Sequence, residues 1–230
     1  MEEEIGMKQI RKLIYLLVVL IIIFLIVYVF FKRPNLKPVR GQLDEMDLTG
    51  YNKVMVISHP SDETIYGGVH LLSDNYVVVC ASCGVNKSKD EALEKVLNET
   101  GDKLVKLGYP ENFYLSSDLK KIRKKLKIIF NYKNWDLIVT HNPDGEDGNT
   151  QHKQIEKIVT DVFPNERLYY FGKYYDKKEL NKLDMETTLD RNLLKKKVNK
   201  LVNFYDKNTV KKYTHMFPFE DWIGAGSWKN

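Results

Sequence analysis

The apolar positions of the chain fall into an unbroken opening run followed by two alternating rhythms. Residues 13–31 carry no charge and are dominated by Leu, Ile and Val. Nineteen such residues suffice for a helix to cross a bilayer. No small-residue cleavage pattern follows them, only Lys32-Arg33-Pro34, so the run is read as a retained anchor rather than a signal peptide. Beyond residue 50, short runs rich in β-branched and aromatic residues predict strands at 54–57, 76–80, 113–115, 136–140 and 167–171. Helical spacing falls between them. Ile65, Val69 and Leu72 mark one helix. A second is predicted over 89–107, with Gly101 as a candidate break and Gly108 as its end. Others are predicted at 119–132, 150–163 and 188–203. Strand and helix alternate almost throughout, which predicts an α/β domain with a mainly parallel sheet and helices on both faces. The expected organisation is a tail (1–12), a transmembrane helix (13–31), a Pro-containing linker (32–50) and one domain (51–230).

Composition changes this picture little. The formal net charge is +5, from 36 Lys and Arg against 31 Asp and Glu. Lys8, Arg11 and Lys12 precede the apolar run, while Lys32, Arg33, Lys37 and Arg40 follow it. The count favours a single-pass membrane protein with its domain on the cytoplasmic side. Lysines cluster over 120–127 among Leu119, Ile122 and Leu126, a helix with a basic face. A solvated face is the simplest reading. In an anchored chain an anionic lipid surface is the simpler partner, and no nucleic acid is expected. Cys80 and Cys83 are the only cysteines, too few for a four-thiolate site, and Cys80 is expected in the core.

Candidate chemistry sits at two strand ends. After the first strand comes Ser58-His59-Pro60-Ser61-Asp62-Glu63-Thr64. Pro60 suits the first turn of a helix and holds His59 extended. Asp62 and His59 are then either a helix cap and a loop histidine, or half of a metal site. After the strand 136–140 comes an acidic, turn-rich loop ending at His152. His152 precedes Ile155 and Val159 at helical spacing, so it points towards the sheet. In parallel sheets, ligands bind at the carboxyl ends of the strands. Two His and one Asp, with a fourth position left to water, form a catalytic-zinc ligand set.

These two motifs resemble those of the PIG-L/LmbE-like zinc-dependent N-acetylglucosaminyl de-N-acetylases, in a bacterial-type branch. The family's A/S-H-P-D-D-E stands here as Ser58-His59-Pro60-Ser61-Asp62-Glu63. Its T-H-N-P-x-G-E-x-G-H-x-x-H runs from Thr140 to His152. Phe171-Gly172-Lys173-Tyr174-Tyr175 and the tail 214–223 add to the likeness. The resemblance implies a Rossmann-like fold, a Zn2+ ion held by His59, Asp62 and His152, and hydrolysis of the acetamide of an N-acetylglucosamine-type glycolipid or glycoside. It also locates departures. Ser61 stands where the family has its general-base Asp, and Asn149 where it has a His that stabilises the tetrahedral intermediate. An Arg that contacts substrate is replaced around Ser88, with Lys87 or Lys89 as substitutes. Glu63, Asp144, Glu146 and Asp147 are the acids available to act as base, and Asp144 and Glu146 are also expected at the substrate. The expected function is a membrane-anchored zinc de-N-acetylase. The alternative is a zinc-binding pseudoenzyme of the same fold, because Ser61 cannot serve as a base near neutral pH.

Overall fold

The computed structural model describes residues 2–31, 34–112, 114–164, 166–180 and 187–228. It divides into two units, 1–34 and 35–230. The first is the helix α1 (Glu2–Phe31). Among the described residues no helix is long and apolar enough to cross a membrane. The expected anchor at 13–31, and the membrane localisation and sidedness that rested on it, are corrected accordingly. Residues 26 and 28–31 of the expected span lie outside the described side chains.

The second unit opens with α2 (Val39–Asp44). This segment, expected as linker, buries Val39 and Leu43 in the core. Six strands then form one sheet in the order β3-β2-β1-β4-β5-β6. They are β1 (Lys53–Ile57), β2 (Tyr76–Cys80), β3 (Lys103–Lys106), β4 (Leu137–Thr140), β5 (Leu168–Phe171) and β6 (Trp222–Gly224). The first five pair in parallel, and β6 runs antiparallel to β5. This is a mixed α/β fold with the doubly wound strand order of dinucleotide-binding domains.

Helices α3 (Asp62–Leu71) and α4 (Lys87–Thr100) link the strands on one face, and α5 (Ser116–Phe130) and α6 (Thr150–Val162) on the other. The period-2 alternation inside each strand separates two cores. Val54, Val56, Val77, Val79 and Ile138 pack with α2, α5 and α6. Met55, Ile57, Val78, Val139 and Phe171 pack with α3, α4 and the C-terminal segment. The chain ends through α7 (Lys177–Leu180), α8 (Arg191–Lys200), a 3-10 turn at Val202–Phe204 and α9 (Lys207–Tyr213) before β6.

Three expectations change here. The helix predicted over 89–107 ends at Thr100, because Gly101 caps it at φ +84° and the chain re-emerges as β3. No strand forms at Tyr114 and Leu115, where Leu115 precedes α5; Phe113 lies outside the described residues. The helix predicted over 188–203 is α8, started by the Asp190 carboxylate, which accepts the N–H groups of Asn192 and Leu193.

Candidate metal centre

The strand order reverses between β1 and β4, and the crevice outside their carboxyl ends is where such sheets bind ligands. β1 feeds His59 and Asp62 into that crevice, and β4 feeds His141 and the loop to His152. Pro60 lies outside α3, which begins at Asp62 rather than at Pro60 as expected. Ser61 between them has φ +97°, a left-handed conformation rare for a residue with a Cβ. Such geometry costs on the order of 1–3 kcal/mol and persists only where surrounding contacts impose it. Those contacts are the Asp62 Oδ2 carboxylate, which accepts His59 N–H at 2.7 Å, and Glu63 Oε2, which accepts Ser61 N–H at 2.9 Å.

Three ligand atoms face one another. His59 Nδ1 and His152 Nε2 lie 3.1 Å apart, and each is 3.5 Å from Asp62 Oδ2. Tetrahedral coordination at about 2.0–2.1 Å places ligand atoms roughly 3.3 Å apart, so the triangle has the size a zinc-like ion needs. The outer nitrogens settle the tautomers. Gln151 Nε2 donates to the Pro110 carbonyl at 3.0 Å, so its Oε1 is the atom 2.8 Å from His59 Nε2 and accepts that N–H. Glu146 Oε2 accepts the His152 Nδ1–H at 2.5 Å. Those outer bonds turn both inner nitrogens, with a carboxylate oxygen, towards one point. A cation there would take two imidazole lone pairs and the carboxylate, with a fourth position left open. Asp62 keeps its charge. Burial alone would raise its pKa, but His152, His141 and His59 hold it well below the usual carboxylate range.

A second group, His141, Glu146 and His152, also has ligand atoms close together. Its atoms are already engaged. Glu146 Oε2 accepts from both imidazoles, its Oε1 accepts Asn142 N–H at 2.9 Å, and Ser58 N–H donates to His141 Nε2 at 2.8 Å. Burial lowers the His141 pKa, but the Glu146 and Asp62 carboxylates push it up to about 9. The bond from Ser58 nevertheless requires a lone pair on Nε2, so the ring is neutral and donates from Nδ1. This second group orients the first, as buried carboxylates do for ligating histidines. Burial raises the Glu146 pKa, but the two histidines bring it below its ordinary value.

The structure divides the candidates read from the sequence. Glu146, expected at the substrate, is buried behind the histidines. Glu63, expected as a stand-in base, is fully buried too. Burial pushes its carboxyl up to about 7, held partway down by the Tyr205 hydroxyl at 2.5 Å and the Thr64 hydroxyl at 2.7 Å. Asn149 caps α6, its Oδ1 accepting Gln151 and His152 N–H at 2.8 and 3.4 Å, which sets the angle from which His152 enters. Lys87, Ser88 and Asp144 are exposed and stand outside the cleft in front of the triad. Gly145, at φ +68°, makes the turn before Glu146, and a Cβ there would meet the Asn149 carbonyl oxygen at 2.5 Å.

That cleft measures about 350 Å³. His59, Ser61, Asp62, Asn149 and His152 form one side. Lys89, Glu111 and Asn112 form another, and Tyr205, Asn208, Thr209, Lys212 and Tyr213 close it. None of Glu111, Tyr205 and Tyr213 was legible as a site residue, because each joins the cleft from a segment without a motif. Glu111 is anchored by Lys89 at 2.8 Å through Oε2, while its Oε1 is buried without a hydrogen-bond partner. Lys212 and Tyr213 reach Asp147 Oδ2 at 3.4 and 3.5 Å and so tie α9 to the histidine loop.

Several known proteins share this architecture. The N,N'-diacetylchitobiose deacetylase of Pyrococcus horikoshii superposes with a TM-score of 0.53 at 13% identity, over 78% of this chain and 81% of its own. A deacetylase of the teicoplanin biosynthetic pathway gives 0.53 at 9% identity, over 66% and 81%. The A40926 pseudoaglycone deacetylase gives 0.51 at 11% identity, over 67% and 81%. At these identities the likeness establishes the fold. In sequence, an uncharacterized protein of Acanthamoeba polyphaga mimivirus is 32% identical over 149 residues, covering 56% of this chain and 64% of its own length. No protein-family model matches the chain.

Proposed function

We propose that this chain is a zinc-dependent de-N-acetylase acting on an N-acetylglucosamine-type glycoside or glycolipid. The observation that carries the reading is the convergence of three ligand atoms, 3.1–3.5 Å apart, at the floor of a cleft. The fold shared with three deacetylases supports it. Zinc held by His59, Asp62 and His152 would bring a bound water's pKa down to about 7 and polarise the acetyl carbonyl. The chain's own residues divide the remaining work. Asp62 apart, Glu111 is the carboxylate among the described residues that lines the cleft, and its unpartnered Oε1 would be the group to accept the water's proton. Asn149 spends Oδ1 on the helix cap and can offer Nδ2 to the developing oxyanion. Hydroxyls and amides of Thr209, Tyr213, Asn112 and Asn208 give the cleft the mixed lining that a polyhydroxyl substrate needs.

The test is acetate release from N-acetylglucosamine conjugates by zinc-reconstituted protein, beside metal analysis of wild type and His152→Ala. Bound zinc lost in the variant, with acetate released only by wild type, is the expected result. A protein that takes up no metal sinks the proposal. A second reading, a zinc-binding module without hydrolysis, is favoured by Ser61, whose hydroxyl is no base near neutral pH. Ser61→Asp combined with Asn149→His separates the two: an inactive wild type with an active double variant selects the second reading.

A further inference from the structure

α5 carries a feature that the metal centre does not use. Its inward residues Ile122, Leu126 and Ile129 are buried. Its outward face presents Lys120, Lys121, Lys124 and Lys127, all exposed. Solvated helix faces ordinarily mix signs at i,i+3 and i,i+4 spacing, and like charges there are destabilising. Here Lys120–Lys124, Lys121–Lys124 and Lys124–Lys127 take those spacings, and none of the four has an acidic partner among the described residues. The other cations of the helix are engaged: Arg123 with Asp161 at 2.6 Å, and Lys125 with the Leu107 carbonyl at 2.7 Å. The ridge also starts next to the cleft. Glu111 and Asn112 line the cleft, Tyr114 shares a hydrogen bond with Ser58 Oγ at 2.9 Å, and α5 begins at Ser116.

We propose that this lysine ridge binds an anionic polysaccharide, holding an acidic glycan whose acetamido sugar reaches the metal cleft; this rests on the carbohydrate reading above. Charge complementarity is met by four ammonium groups without an acidic partner among the described residues. The helix's one arginine, the residue suited to bidentate phosphate contacts, is occupied, and α5 offers no exposed aromatic ring on which bases could stack. A sulfated or carboxylated glycan is the polyanion that would also carry an acetamido sugar to the cleft beside α5.

The test uses the full chain, stripped of metal, titrated with heparin, with neutral chitin oligosaccharides, with duplex DNA and with phosphatidylserine vesicles. Heparin should bind most tightly and in a salt-sensitive manner. Changing all four lysines to Glu should weaken it on the order of a hundredfold, as the loss of four exposed charge contacts would. Reconstituted with zinc, the same variant should keep wild-type acetate release from a small acetamido sugar. Equal binding of neutral chitin oligosaccharides, binding indifferent to the four changes, or tighter retention of DNA or vesicles would each overturn the proposal. Heparin binding without any acetate release would leave the ridge standing and sink the hydrolase reading alone.

Discussion

At the scale of single residues, the site separates into side chains that face the cleft and side chains that hold them there. Glu111 and Glu146 are both acids near the same histidines, yet they should fail differently. Glu111→Gln removes a proton acceptor and leaves all three ligands. Acetate release should fall by roughly 10²–10⁴-fold with zinc content unchanged. Glu146→Gln weakens the acceptor that fixes the His141 and His152 tautomers. It should weaken zinc binding by about 10–100-fold, read by competition with a chelator. Equal zinc affinities in the two variants would contradict this division. The candidate ligands His59, Asp62 and His152 were legible because they stand in motifs at strand ends. Glu111 was not, since its role depends on Lys89 and on which part of a loop closes the cleft.

At the scale of elements, the junction of α4, β2 and β3 shows how a single glycine redirected a prediction. Leu104 and Val105 keep a helical rhythm with Leu93, Val96 and Leu97, but Gly101 ends the helix and Asp102 fastens the new strand. The Asp102 carboxylate accepts Tyr76 N–H at 2.6 Å and the Thr100 hydroxyl at 2.5 Å. Burial pushes its pKa up to about 6, against about 3.9 for a free carboxyl. The folded state therefore takes up a proton between these values. Stability is greatest at the acid end of that window and is lost as pH rises through about 6. Asp102→Asn keeps an acceptor for Tyr76 and removes the charge. In denaturant titrations it should gain on wild type between pH 4 and 6, reaching an advantage of about 1–3 kcal/mol above pH 7. A constant difference across that window would contradict the assignment.

At the scale of the whole molecule, the C-terminal segment is locked to the first crossover helix by a buried ion pair. Lys197 Nζ meets Glu220 Oε2 at 2.7 Å and the Ile65 carbonyl at 2.8 Å. Glu220 Oε1 accepts Val69 and His70 N–H at 2.6 and 3.1 Å. The lock supports α3, whose first turn presents Asp62, and it fixes the segment that supplies Tyr205 and Tyr213. Lys197→Ala leaves a buried carboxylate unpaired and should cost about 3–5 kcal/mol. Lys197→Met combined with Glu220→Gln keeps an acceptor for α3 without a lone charge, and should recover most of that loss in thermal unfolding.

The alternation of apolar runs determined by itself that the chain forms a parallel α/β sheet, because a period of two or of 3.6 residues is a local property. The motifs after β1 and β4 likewise carried the candidate ligand set, since each lies in the segment that directly follows a strand end. Tertiary structure alone decided the strand order that brings those two ends together, the antiparallel β6, and the wall of the cleft. These depend on pairings between residues far apart in the chain. The same holds for Glu146 and Asn149. Chemistry at the substrate was expected of both, and only their neighbours in space make Glu146 an orienting carboxylate and give Asn149 a helix cap beside its place in the cleft lining.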